Sequence, residues 1–141
     1  MFKKIVLLLL WLGVALYATD VKLQTKLQGV NAKQLVELHK NGVPIIDIRT
    51  PGEWEKTGVI EGSSKIMFFD KNGKYDVEKF MNKLTKVVKD KKQSFILVCR
   101  SANRTKTVGY FLINDMNYTN VKELTGGIKN GWIAMGLKTV K

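Results

Sequence analysis

Two short runs of branched apolar residues, PIIDI at 44–48 and FILV at 95–98, enclose a segment whose apolar positions recur every three or four residues. That alternation constrains the fold more than any other feature of the chain. Runs of this kind fit strands buried on both faces of a parallel sheet. Between them Val77, Phe80, Met81, Leu84, Val87 and Val88 form one stripe of a helix, with Asp76 as its N-cap and Lys79, Lys83, Lys86 and Lys89 on the solvated side. Parallel strands need crossover connections of about a dozen residues, and an amphipathic helix supplies one. The expectation is an α/β domain: a parallel β-sheet flanked by α-helices.

The remaining elements follow the same logic. Residues 19–30 read as a short linker followed by an entry strand, and Asn31 then starts a helix, its side chain capping while Gln34 reaches back as in a capping box; Leu35, Val36 and Leu38 form the apolar face. Gly42 and Pro44 close that helix. A further helix is expected from about Asn103 to Met116, a strand from Val121 to Leu124, and a last helix after the turn at Thr125, Gly126 and Gly127. At 141 residues and 45% hydrophobic content the chain can bury one core and therefore carries one site.

The first 18 residues have the charged start (Lys3, Lys4), apolar run (Ile5 to Leu16) and small residue (Ala18) of a secretory signal. The stretch from Ile5 to Ala18 is shorter than the roughly 17 to 25 residues that span a bilayer. The expectation is cleavage after Ala18, a linker at 19–27, a domain at 28–141 and a soluble periplasmic protein without stable membrane insertion. Removing Lys3 and Lys4 lowers the net charge from +12 to +10, a balance that favours anionic partners. Nucleic acid is disfavoured, because an exported chain rarely meets it and the lysines are not interleaved with stacking aromatics. A single cysteine excludes an internal disulfide.

That cysteine, Cys99, directly follows FILV, at the strand end where parallel α/β sheets bind ligands. The next residues lead into a helix whose unpaired amides and positive dipole end favour a thiolate, and Arg100 and Arg104 add fixed positive charge. The sequence therefore predicts a nucleophilic thiol with a lowered pKa in a loop that also binds a small oxyanion. The competing reading is an inert apolar residue finishing a strand. Two guanidinium groups at its side, costly to desolvate without an anion, weigh against that.

CRSANRT, residues 99–105, resembles the active-site loop of rhodanese-like sulfurtransferases, notably the small exported single-domain ones. IIDIRTPGEWEKTGVIEGSSKI (45–66) is similar to the family stretch running from an Asp-x-Arg strand end to a Gly-x-Ile-x-Gly turn, and LTGGIKNGWIAMGL (124–137) to its closing signature. Ala102 stands where the family loop has glycine, Val59 where histidine is frequent, and Lys138 where proline is common. If position 102 needs positive φ, alanine there costs about 1 kcal/mol.

The resemblance implies thiosulfate sulfurtransferase chemistry without metal or cofactor. The Cys99 thiolate attacks the sulfane sulfur of thiosulfate, sulfite leaves, and the persulfide passes its sulfur to a thiophilic acceptor, cyanide, a thiol or a protein. It assigns the cradle to Arg100, Ser101, Ala102, Asn103, Arg104 and Thr105. Asp47 and Arg49, at the same sheet edge, are expected to support the loop by hydrogen bonds. A persulfide-carrier or partner-docking module is the alternative within the family. Phosphatase or arsenate reductase chemistry fits less well, because four residues rather than five separate Cys99 from Arg104. His39, a conceivable base, reads instead as a residue suited to a helix C-terminus. Glu53 and Trp54 are expected to shape a turn, and Gly126 and Gly127 to be turn chemistry.

Overall fold

The computed structural model describes residues 26–141; the expected signal at 1–18 and most of the linker lie outside them. Among the described residues five strands form one parallel sheet: β1 (Gln28–Val30), β2 (Ile45–Asp47), β3 (Ser64–Lys65), β4 (Phe95–Val98) and β5 (Val121–Leu124), in the order β1-β5-β4-β2-β3. The central pairs set Ile45 opposite Ile96, Asp47 opposite Val98, and Leu97 opposite Glu123. The helices are α1 (Ala32–Lys40), α2 (Pro51–Thr57), α3 (Val77–Val87), α4 (Asn103–Asn114) and the short α5 (Gly127–Gly131), which runs into a 3-10 turn at Ile133–Met135.

Side chains of a strand alternate between faces, and the two cores follow that period. Ile46, Phe95, Leu97 and Val121 pack with Phe80, Leu84 and Val88 from α3 and its end, and with Val108 and Leu112 from α4. Ile45, Ile96, Val98 and Leu124 pack on the other face with Ala32 and Leu35 of α1, Ile128 of α5, and Trp132. Burying each large aliphatic side chain contributes roughly 1.5 to 3 kcal/mol, so this double layer fixes the sheet and the loops at its carboxyl edge.

The caps read from the sequence are present. Asn31 accepts from the Gln34 amide while Gln34 accepts from the Asn31 amide, and Asp76 accepts from the Lys79 amide. One expectation changes. Glu53 and Trp54 belong to a helix, not a turn: Thr50 and Glu53 form a second capping box around Pro51, and the seven-residue helix that results is too short for periodicity to reveal. The closing helix has only five residues before Trp132 leaves helical geometry to enter the core.

Candidate active site

Cys99 follows the central strand β4 and begins the loop that leads into α4. Ala102 is the N-cap of that helix and has φ 66° and ψ 14°, so the positive φ anticipated for this position is real. Alanine supplies no capping side chain there. Among the described residues, the amides of Arg100, Ser101 and Ala102 donate to no protein acceptor. The first-turn amides of Asn103, Arg104 and Thr105 lack intrahelical partners because nothing precedes them in the ladder. A left-handed residue between these two sets turns the amides into one concave row, a geometry suited to an anion.

The loop is pressed from behind by α5. Ile128 and Lys129 amides donate to the Cys99 and Arg100 carbonyls at 2.9 and 3.0 Å. Gly127, at φ 66°, approaches so closely that a Cβ would overlap the Arg100 carbonyl and the Ser101 amide. The Gly126–Gly127 pair is therefore more than a turn: it lets two backbones meet behind the cysteine, a role visible in sequence only as adjacent glycines.

Cys99 is 1% exposed. Its sulfur sits 3.6 Å from Thr105 Oγ1, which donates at 2.5 Å to Glu123 Oε2 on β5. Lys106 Nζ closes the chain, donating to Glu123 Oε1 at 2.9 Å and to the Ala102 carbonyl at 3.1 Å. Sequence reasoning passed over Glu123. It lies on β5, eighteen positions after its partner Thr105 in α4, and nothing local marks the pair.

The two arginines differ. Arg100 is exposed beside the loop. Arg104 instead makes a bidentate pair with Glu53, donating to both carboxylate oxygens at 2.8 and 2.7 Å. Hydrogen bonding from Arg104 holds the Glu53 carboxyl at about 2, well below its ordinary 4.5, against partial burial and with help from the Thr50 amide and hydroxyl. Arg104 is raised in turn, chiefly by Glu53, opposed by burial, with lesser contributions from Cys99 and Asp47. The Arg104 donors are thus held by α2.

Asp47 and Arg49 need a correction. Both are buried, and Arg49 donates to Asp47 from Nε and Nη2. Their remaining bonds go to α2 and its end: Trp54 Nε1 donates to Asp47 at 3.0 Å, and Arg49 donates to Thr57 Oγ1 and the Gly58 carbonyl. Neither bonds residues 100–105. They anchor α2, which carries Glu53, so their support reaches the loop only through Arg104. The reason is geometric: β2 ends beside β4, but its side chains turn into the connection that follows it. His39 donates from Nδ1 to the Val43 carbonyl at 2.9 Å and packs under Gly62, away from the cysteine.

Fold and site together define a parallel α/β domain whose central strand delivers a buried cysteine into an amide-lined loop. The chain belongs to the rhodanese-like domain family, whose model matches residues 31–134. Solved structures share the fold. A protein from M. tuberculosis is 19% identical with a TM-score of 0.64, the match covering 80% of this chain and 97% of that one. A rhodanese-related protein from Thermoplasma volcanium is 23% identical with a TM-score of 0.60 over 80% and 97% of the two chains. A homodimeric polysulfide-sulfur transferase from Wolinella succinogenes is 18% identical with a TM-score of 0.60, over 83% and 80%. No curated protein sequence matches the chain significantly.

Proposed function

We propose that this protein is a sulfurtransferase that carries sulfur as a persulfide on Cys99. The observation that carries the reading is the row of unpaired amides from Arg100 to Thr105 around the one cysteine, at the carboxyl end of the central strand. Such a row offers hydrogen bonds to a terminal sulfur anion and to a departing oxyanion. The Wolinella succinogenes neighbour is a polysulfide-sulfur transferase, which agrees with this chemistry.

In the first half-reaction the Cys99 thiolate forms a bond to the sulfane sulfur of thiosulfate. The donor's S–S bond breaks, and its electron pair leaves on sulfite. In the second, a thiophilic acceptor such as cyanide or a thiol takes the outer sulfur, and the Cys99 thiolate returns. Exposed Arg100 is the cation placed to attract the dianion. Burial of Cys99 favours a donor group that presents a terminal sulfur. Export by the segment at 1–18 belongs to the same reading, supported by its charged, apolar and small-residue parts.

One observation favours a second reading, the persulfide carrier: Arg104 is already engaged by Glu53, so its donors are not free for a dianionic donor. Thiocyanate formation from thiosulfate and cyanide, together with intact mass, separates the two. Turnover requires thiocyanate with the mature protein and none with Cys99→Ser. A gain of one sulfur atom in mass only from a protein donor, without thiocyanate, selects the carrier. Equal thiocyanate rates for the two proteins overturn both.

A further inference from the structure

Glu123 is an acid placed where an apolar residue would be cheaper. It is 7% exposed on β5, with Leu97 of β4 opposite on one side and Gly29 of β1 on the other. An ionised carboxylate is retained in such a place when its charge is compensated and its oxygens are bonded, as Lys106 and Thr105 do here. The other charged groups nearby are Arg104, one residue before Thr105 on α4, and Lys122, whose ammonium turns to Asn120 from the opposite face of β5.

Thr105 determines what Glu123 does to the thiol. A hydroxyl has one proton. At 2.5 Å that proton lies on the Glu123 side, so Thr105 presents a lone pair to the Cys99 sulfur 3.6 Å away. A lone pair receives an S–H donor well and opposes a sulfur anion. Cys99 as thiol and Glu123 as carboxylate are therefore compatible, whereas both as anions compete for a single hydroxyl proton.

We propose that Glu123, acting through Thr105, is a positioning residue that takes up and returns the proton of Cys99 during sulfur transfer. On ionisation the Sγ–H bond breaks and its proton forms a bond to Thr105 Oγ1. The hydroxyl's former proton moves to Glu123 Oε2, leaving a thiolate and a neutral acid. Two protons each move by one bond, one proton is transferred net from Cys99 to Glu123, and nothing is oxidised or reduced. Once Cys99 bears a second sulfur, its inner sulfur is uncharged and the anion sits on the outer one, facing the amides. Removal of that outer sulfur regenerates the thiolate, which regains its proton from Glu123 by the same path. Lys106 links this event to the loop, because its ammonium bridges the Glu123 carboxylate and the Ala102 carbonyl.

This proposal rests on the sulfur-transfer reading for its purpose but not for its test. Cys99 is the one cysteine in the chain, so ultraviolet absorbance against pH, taken as the difference from Cys99→Ser to remove the tyrosinate contribution, reports its thiolate. Two sites sharing a proton titrate together, and the wild-type curve is expected to be broad. Glu123→Gln removes a neighbouring negative charge, so the curve should become a single step with its midpoint about one pH unit lower. Should Glu123→Gln not fold, Thr105→Ser is expected to keep the broad curve and Thr105→Val to lose it. Superimposable curves for wild type and Glu123→Gln, or for Thr105→Ser and Thr105→Val, overturn the proposal. If the curves respond as expected but thiosulfate adds no sulfur to Cys99, proton coupling stands and the sulfur-transfer reading falls. If sulfur adds while the curves coincide, the reverse holds.

Discussion

Arg104 holds both carboxylate oxygens of Glu53, a residue 51 positions away, and so ties the helix after β2 to the helix that begins at the cysteine loop. Each side chain is about a quarter exposed, which makes the pair sensitive to its environment without being sealed from water.

The acid sensitivity of this tie has a definite sign. Glu53 is at about 2 in the folded protein and near 4.5 without its partners, so its contribution is complete above 4.5 and disappears as pH falls toward 2. Glu53→Gln should cost about 1 kcal/mol at neutral pH, given partial exposure. It should also flatten the loss of stability between those two pH values. Urea unfolding of both proteins at neutral and acidic pH measures the difference.

Ala102 pays for its left-handed backbone without the freedom of glycine. Ala102→Gly relieves strain of about 1 to 2 kcal/mol, partly offset by greater unfolded-state entropy, for a net gain of about 0.5 to 1 kcal/mol. Thermal unfolding should show a higher midpoint. Its effect on sulfur loading, followed by mass, tests whether the existing geometry is also the working one.

Gly127→Ala should do the opposite. The new methyl meets backbone atoms of Arg100 and Ser101, which cannot turn aside as a flexible side chain can, and the position also has positive φ. A loss of about 3 kcal/mol is expected, with persulfide formation reduced in whatever protein remains folded. Unfolding curves and single-turnover mass measurements read these separately.

The buried pair Asp47–Arg49 gives a larger effect. Both side chains are 1% exposed, and Asp47→Ala leaves the guanidinium with only Thr57 and the Gly58 carbonyl. An uncompensated buried charge costs about 3 to 5 kcal/mol. Because Trp54 also loses its acceptor, its fluorescence should report movement of α2 before global unfolding.

Most of the scaffold was legible in the sequence because its signals are local. Asn31 with Gln34 and Asp76 with Lys79 are capping pairs three residues apart, and FILV fixes its own strand by being apolar at every position. Helix α2 escaped because seven residues give fewer than two turns of pattern. Cys99 and its loop were legible too, as a nucleophile type between a buried strand and a helix start. The need for positive φ at position 102 could be posed from sequence, but only the backbone answered it.

By itself, then, the sequence determined the parallel α/β plan and the presence of one reactive-residue candidate in the loop between a buried strand and a helix start, since periodicity, capping and residue chemistry act over a few positions. Tertiary structure alone decided which charges reach that residue. It gave Arg104 to Glu53, turned Asp47 and Arg49 toward α2, and set Glu123 behind Thr105. These pairings join side chains that are distant in the chain and neighbours only once the sheet order is fixed. Hydrogen bonds and ion pairs depend on angstrom-scale distances between such groups, and no local pattern carries that information.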